Sequence, residues 1–254
     1  MGRAVVTSLA KRGYFVFAID RRTEESGNEG ILPITADLTD AGAVESMAEI
    51  IKEKCDGLFA VIHTAGYYML DSLVEIGEDE LKSAFDVNVF AAYRVNKALL
   101  PLLGKGSRII ITTSELAPLS PLPFTGLYAI TKSALDKYAH SLATELSLIG
   151  ISVTVLRPGA VMTDMLGAST RALDGFVEKT EHYDLAAERF RSVVNSVEAR
   201  CIPAEKIAKR VVRLLESRRP RRVSSINRNP LLLMLNLLPP SLQSRIISAI
   251  LKRK

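Results

Sequence analysis

The sequence predicts an α/β fold: a single-domain, doubly wound parallel sheet, truncated at its N-terminus and carrying a helical basic tail. Three observations predict it. Short runs rich in Val, Ile and Phe alternate with longer helical patterns. Those runs are apolar on both faces, as strands covered by helices on each side must be. And the chain opens on a helix, a glycine stop, an apolar strand and a terminal acid, which is the rear half of a βαβ unit without its front.

The elements follow in order. Ala4, Val5, Leu9 and Ala10 form an apolar stripe at helical spacing, and Gly13 ends that helix. Tyr14 to Ile19 reads as a buried strand ending in Asp20. Further strands read at Ile31–Ala36, Gly57–His63, Arg108–Thr113 and Ile151–Arg157, with helices near 41–54, 78–103, 126–149, 182–199 and 203–217. The main domain is expected over 1–225 and the tail over 226–254.

The 254 residues are 48% hydrophobic, enough for a sizeable core and too apolar for a disordered chain. Cys55 and Cys201 lie far apart and suit neither a metal site nor a disulfide framework, which points to a reducing compartment. No secretory signal is visible in residues 1–12. From Lys206 to Lys254 there are 13 Lys/Arg against one acid, Glu216, whereas the first 205 residues carry 20 Lys/Arg and 27 Asp/Glu. The basic excess thus belongs to the C-terminal fifth and gives the main domain no basis for binding nucleic acid.

Ligands of doubly wound sheets bind at the carboxyl ends of the strands. Asp20 stands at one such end. An acid there accepts hydrogen bonds from ribose hydroxyls and favours NAD(H), while Arg21 or Arg22 can instead hold a 2′-phosphate. The alternative is a solvated loop charge. In "ITADLTD", Asp37, with Leu38 after it, faces an adenine edge or caps the helix starting near Asp40. In "IHTAG", Ala65 and Gly66 leave the backbone bare for close approach of a ligand.

The segment "SELAPLSPLPFTGLYAITKSALDKYA" carries the chemistry. Tyr128 and Lys132 are four apart and share a helix face. An ammonium near the phenol is expected to lower its pKa from ~10 toward acid–base work near neutrality. An ordinary surface pair has the same spacing. Ser114 ends the strand "SRIIITTS", with Thr113 as the neighbouring hydroxyl, and can polarise a carbonyl. Asn88 lies inside the helix "LKSAFDVNVFAAYRVNKALL", where a buried amide needs a partner.

These residues resemble the short-chain dehydrogenase/reductase family over nearly all of 2–225. "YAITK" is similar to its Tyr-x-x-x-Lys motif, Ser114 to its serine and Asn88 in "DVNVF" to its asparagine. "HTAG" stands where the family has Asn-Asn-Ala-Gly, so His63 and Thr64 depart from the pattern. "RPGAVMTDM" resembles the family's Pro-Gly segment, with Pro158, Gly159 and Thr163.

The resemblance implies a Rossmann-like fold and an NAD(P)-dependent oxidoreductase with Asn88, Ser114, Tyr128 and Lys132 as catalytic residues. Asn88 would position a water that relays protons to Lys132. Gly2, Asp20, Arg21, Asp37, Leu38, Ala65, Gly66, Tyr128, Lys132, Pro158, Gly159 and Thr163 would contact the cofactor, and no metal is needed. It also implies that a strand and most of a glycine-rich turn are missing ahead of Gly2, and hence weak cofactor binding. A cytoplasmic homo-oligomer is the expected state.

The tail "NPLLLMLNLLPPSLQSRIISAILKRK" is the least family-like part. Its apolar run, Leu231 to Leu238, is shorter than the ~20 residues of a membrane span. Leu242, Ile246, Ile247, Ile250 and Leu251 share a face among basic residues. Residues 231–254 read as a lid or oligomer contact, or as an interfacial helix on a membrane surface. With Leu116, Leu119, Leu122 and Phe124 in the loop after Ser114, they point to a lipophilic alcohol or ketone such as a steroid, retinoid or lipid-derived carbonyl. The competing expectation is an impaired, truncated homologue with a binding role or none.

Overall fold

The computed structural model describes residues 1–198 and 200–252. The chain runs α1 (Gly2–Ala10), β1 (Val16–Asp20), β2 (Ile31–Thr35), α2 (Ala41–Lys54), β3 (Leu58–His63) and α3 (Glu78–Phe85). A π-turn (Asp86–Phe90) joins α3 to α4 (Ala91–Leu99), followed by β4 (Leu103–Thr112), α5 (Gly126–Ser147) and β5 (Ser152–Pro158). Then come β6 (Val161–Met162), α6 (Asp164–Lys179), α7 (Asp184–Glu198), β7 (Ile202–Pro203), α8 (Ala204–Glu216) and β8 (Val223–Ile226). The tail forms α9 (Pro230–Asn236) and α10 (Pro240–Lys252).

Every strand pair is parallel. The ladders run β1–β2, β3–β4–β5–β8 and β6–β7, so β1 and β3 are not hydrogen-bonded neighbours among the described residues. Helices hold these pieces together from both faces. Consecutive residues of β4 alternate between the layers, as the two-residue strand period demands. Ile109 and Ile111 pack under α2, α4 and α5 with Met47, Ile51, Leu99 and Leu135. Ile110 packs on the opposite face with Val5 and Leu9 of α1 and Ile207, Val211 and Leu215 of α8. Each fully buried side chain of this kind is worth ~1.5–3 kcal/mol.

Each predicted strand and helix has its counterpart, with ends shifted by a few residues. The predicted helix over 78–103 is interrupted by the π-turn, which contains Asn88. Four elements escaped the sequence reading: the two-residue strands β6 and β7, the helix α6 and the strand β8. The sequence of α6, DMLGASTRALDGFVEK, holds two glycines and weak helix formers, yet Leu173 and Phe176 are wholly buried beneath Phe124 and Phe190; packing overrides propensity there. In β8, VSSI is short and half polar, and it forms by pairing with β5.

Candidate active site

The parallel register brings the carboxyl ends of β3, β4 and β5 together, and a cavity of about 560 Å³ opens there. That volume suits a small-molecule ligand. Thr64, Ala65 and Gly66 reach it after β3, Ser114 after β4, and Pro158, Gly159 and Thr163 after β5, while Tyr128 and Lys132 project from the first turns of α5. Met1, ahead of α1, lines it as well, so the amino end of that nine-residue helix abuts the cavity. Gly2 packs closely: a Cβ there would lie 2.8 Å from Thr64 Oγ1.

The reach of α5 is set by a buried network. Asp136 accepts two hydrogen bonds from Arg157 of β5, at 2.9 and 2.7 Å, and a third from Thr113 Oγ1 at 3.1 Å. Helix and strands are thereby pinned together one turn beyond Lys132. Both Thr113 and Ser114 line the cavity, but Thr113 is spent in this network, so of these two neighbouring hydroxyls Ser114 is the one left for a ligand. Just before α5, Phe124 adopts φ of 61°, a strained conformation for a bulky residue. Its ring is wedged among Phe176, Tyr183 and Phe190, and its carbonyl accepts from Asp71 N–H.

One electrostatic expectation is corrected. The Tyr128 pKa is raised in this geometry, not lowered. Burial pushes Tyr128 up to about 12, helped by the Glu115 charge and opposed by a hydrogen bond from Ser114. Lys132 Nζ lies 5.8 Å from the centre of the Tyr128 ring and donates to Thr112 O at 3.3 Å. Burial brings Lys132 down to about 8. This buried ammonium has one long hydrogen bond among the described residues, so its remaining protons suit an acceptor such as a sugar hydroxyl.

Asn88 sits in the π-turn and clamps Tyr67. It accepts from Tyr67 N–H at 2.7 Å and donates to Tyr67 O at 2.8 Å and to Thr131 Oγ1 at 2.9 Å. Both amide protons are used, so the side chain can hold the expected relay water only by accepting from it. The departure at His63 also has a structural account: His63 Nε2 meets Asn96 Oδ1 at 2.8 Å, and Asn96 donates to Tyr138.

Gly2, Asp20, Arg21, Asp37, Leu38 and Asn88 are not part of the cavity wall. Asp20 is exposed and accepts from Arg22 N–H. Asp37 accepts from Thr39 N–H and Oγ1, which holds its carboxyl below the usual range, while Asp40 caps α2. Leu38 packs on the core. Thr163 caps α6 by position without a side-chain bond to it, so its hydroxyl is not spent on the helix.

Sequence reasoning missed Glu115. It lines the cavity, is buried, and accepts from Asn229 N–H at 2.6 Å at the start of the tail. Burial raises its own pKa, against the Asn229 hydrogen bond and the Arg228 charge. Its oxygen also crowds Gly159, where a Cβ would collide with the backbone of Asn227. A carboxylate next to Ser114 in an apolar segment was the available signal. The opposite wall is apolar, with Leu232, Leu235, Ile246, Ile247 and Leu251 from α9 and α10.

Comparison with known proteins is consistent with this geometry. The family described as short chain dehydrogenase matches residues 1–174. The match begins at the first residue and does not establish a missing leading strand. A probable short-chain type dehydrogenase/reductase of Helicobacter pylori, VdlC, is 27% identical over 247 residues, covering 95% of this chain and 90% of that one. The NADPH-dependent 1-acyldihydroxyacetone phosphate reductase of Schizosaccharomyces pombe is 27% identical over 180 residues, 68% of this chain and 61% of that one. A short-chain dehydrogenase of Streptomyces avermitilis superposes with a TM-score of 0.76 at 20% identity, covering 98% of this chain and 91% of the other.

Proposed function

The chain belongs to the short-chain dehydrogenase family of oxidoreductases, and from that premise we propose that it interconverts a secondary alcohol and a ketone on a lipophilic small molecule with a nicotinamide dinucleotide. The observation that carries the proposal is the convergence of Ser114, Tyr128 and Lys132 on one cavity whose far wall is aliphatic.

The residues present suit such a cofactor. The amino end of α1 can face a pyrophosphate, Lys132 can donate to ribose hydroxyls, and Gly159 and Thr163 offer a bare backbone and a hydroxyl for the nicotinamide end. When bound, the nicotinamide supplies or accepts the hydride. Ser114 holds the substrate oxygen by donating to it. Tyr128 hands its phenolic proton to that oxygen in reduction and takes it back in oxidation. A phenol at about 12 is protonated near neutrality, which is the donor form, so reduction starts from the resting state and oxidation rises with pH. Asn88 holds Tyr67 and α5 in place by its hydrogen bonds.

Within this reading we assign NAD(H) the preference, because the Asp20 carboxylate repels a 2′-phosphate. Arg21 and Arg22 beside it act the other way, as does the NADPH dependence of the fission-yeast relative. That relative's named substrate bears an acyl group, in keeping with an aliphatic wall here. The test is the oxidation of lipophilic secondary alcohols and the reduction of their ketones with each cofactor. Turnover with higher kcat/KM for NAD(H) is expected. A clear advantage for NADP(H) hands the preference to Arg21 and Arg22, and no turnover with either cofactor across the panel defeats the proposal.

A further inference from the structure

We propose that α9 and α10 form a bilayer-docking surface for anionic phospholipid and that the cavity opens onto it. Leu231, Met234 and Leu237 recur every three residues along α9 and its end, and all three face outward; Leu237 is 85% exposed. Leu242 and Ile250 of α10 are exposed as well. Five large aliphatic side chains left in water within twenty residues form a patch of the kind that marks a contact surface. The neighbouring residues Leu232, Leu235, Ile246, Ile247 and Leu251 turn inward to the cavity.

Two side chains belong to both sets. Leu231 and Ile250 line the cavity and are more than half exposed. A residue that is at once wall and surface marks a mouth, so the cavity opens within the aliphatic patch.

The charge identifies the occupant. Arg228, Arg245 and Lys252, all exposed, lie in the same stretch of chain as the patch, and no Asp or Glu occurs between Ser217 and Lys252. Arg253 and Lys254 lie outside the described residues. A second copy docked on the same face would bring the basic residues of the two tails together across the two-fold axis, and the tail has no acid of its own to offset them. An anionic lipid surface meets both demands, with headgroups for the basic residues and acyl chains for the leucines. No described helix is long and apolar enough to cross a membrane, so the contact is a surface one. Docking itself stands apart from the oxidoreductase reading; the corollary, that a lipophilic substrate passes between bilayer and cavity, rests on it.

The experiment is flotation of the full chain with phosphatidylcholine vesicles and with mixed phosphatidylcholine–phosphatidylserine vesicles, without cofactor or substrate. Binding to the mixed vesicles should be on the order of 100-fold tighter than to the neutral ones. Met234→Glu with Leu237→Glu should abolish it. Neither residue lines the cavity, so turnover of a water-soluble secondary alcohol should persist, which also shows that the variant folds. Arg245→Glu with Lys252→Glu should remove the preference for phosphatidylserine. Failure of the unmodified chain to float with mixed vesicles, or flotation of the Met234/Leu237 variant to the same extent, overturns the proposal. So does a chain that ignores vesicles while light scattering shows an oligomer that this variant splits. Flotation without any alcohol turnover leaves docking standing and refutes only the enzymatic reading.

Discussion

On one side of the cavity, Ser114, Tyr128 and Lys132 hang from β4 and α5, which the Asp136–Arg157 pair ties to β5 deep in the molecule. On the other side, Leu232, Leu235, Ile246 and Ile247 come from two short helices. That tail meets the body through hydrogen bonds such as Asn229 N–H to Glu115 and Ser120 N–H to the Asn236 side chain. The first wall is polar, buried and embedded in the continuous core. The second is aliphatic and partly in water. Proton transfer tolerates little displacement of donor from acceptor, whereas an aliphatic surface binds with broad tolerance. The division of labour follows from those tolerances: turnover should depend on the first wall and substrate capture on the second.

The sharpest way to break that division is Tyr128→Phe, which removes one hydroxyl and keeps the ring against Tyr68. Turnover should fall by ~10²–10⁴-fold while cofactor binding, read by fluorescence titration, is kept. Near-normal turnover would reduce Tyr128 and Lys132 to helix neighbours and leave the polar wall without its central group.

Lys132→Met should cost nearly as much activity, and it carries a second signature. Lys132 sits at about 8 in the fold against an ordinary value near 10.5. Between those pH values the unfolded chain binds the proton and the folded chain does not. Stability therefore rises as pH climbs through that window and is lowest below it. Replacing the ammonium by a methionine should stabilise the fold at neutral pH by up to about 3 kcal/mol. That advantage should shrink as the pH approaches 10.5. Thermal unfolding of both proteins across the window measures it. A variant less stable at every pH would show that Lys132 supports the fold and is not held there against a cost.

How much of this was legible in the sequence follows the same division. Tyr128 and Lys132 were found because their spacing is local, four residues on one helix, and Ser114 because it ends an apolar strand. The partners that fix them were not legible. Thr113, Asp136 and Arg157 meet across 23 and 21 positions, and no periodicity encodes that meeting. Glu115 lies beside Ser114 in the chain, but its partner Asn229 is 114 residues away. The expected lowering of the Tyr128 pKa failed for a related reason: spacing gives proximity, while burial, which dominates both groups, is a property of the whole fold. In the tail, the apolar run of α9 and a shared face for Leu242, Ile246, Ile247, Ile250 and Leu251 were readable, but not that Ile246, Ile247 and Leu251 turn to the cavity while Leu242 stays outside it.

A smaller effect tests the aliphatic wall. Leu235→Ala removes packing from the cavity without touching a polar group. For a long-chain substrate kcat/KM should drop about tenfold, carried by KM. A compact, water-soluble alcohol should be converted as before. A loss carried by kcat for both substrates would mean that the tail also places the reacting atoms, and the two walls would not be separable.

The smallest effect is expected where the two walls touch. Glu115 lines the cavity, and its carboxylate both receives Asn229 N–H and adds to the upward shift of Tyr128. Glu115→Gln keeps an acceptor for Asn229, so the tail stays seated, and removes only the charge. With the negative charge gone, the phenolate costs less to form. The alkaline rise of the oxidation rate should then move to lower pH by under about one unit. The sign of the comparison changes nothing at acid pH, because Glu115 is itself raised above the ordinary carboxylate range and becomes neutral as the pH falls through that raised value. Rates of the parent and the variant should therefore converge there and separate only above it. A purely structural role would lower the rate at every pH and leave the profile in place. A profile that does not move, measured as kcat/KM against pH, would assign Glu115 to the latch alone and make the polar wall independent of the tail.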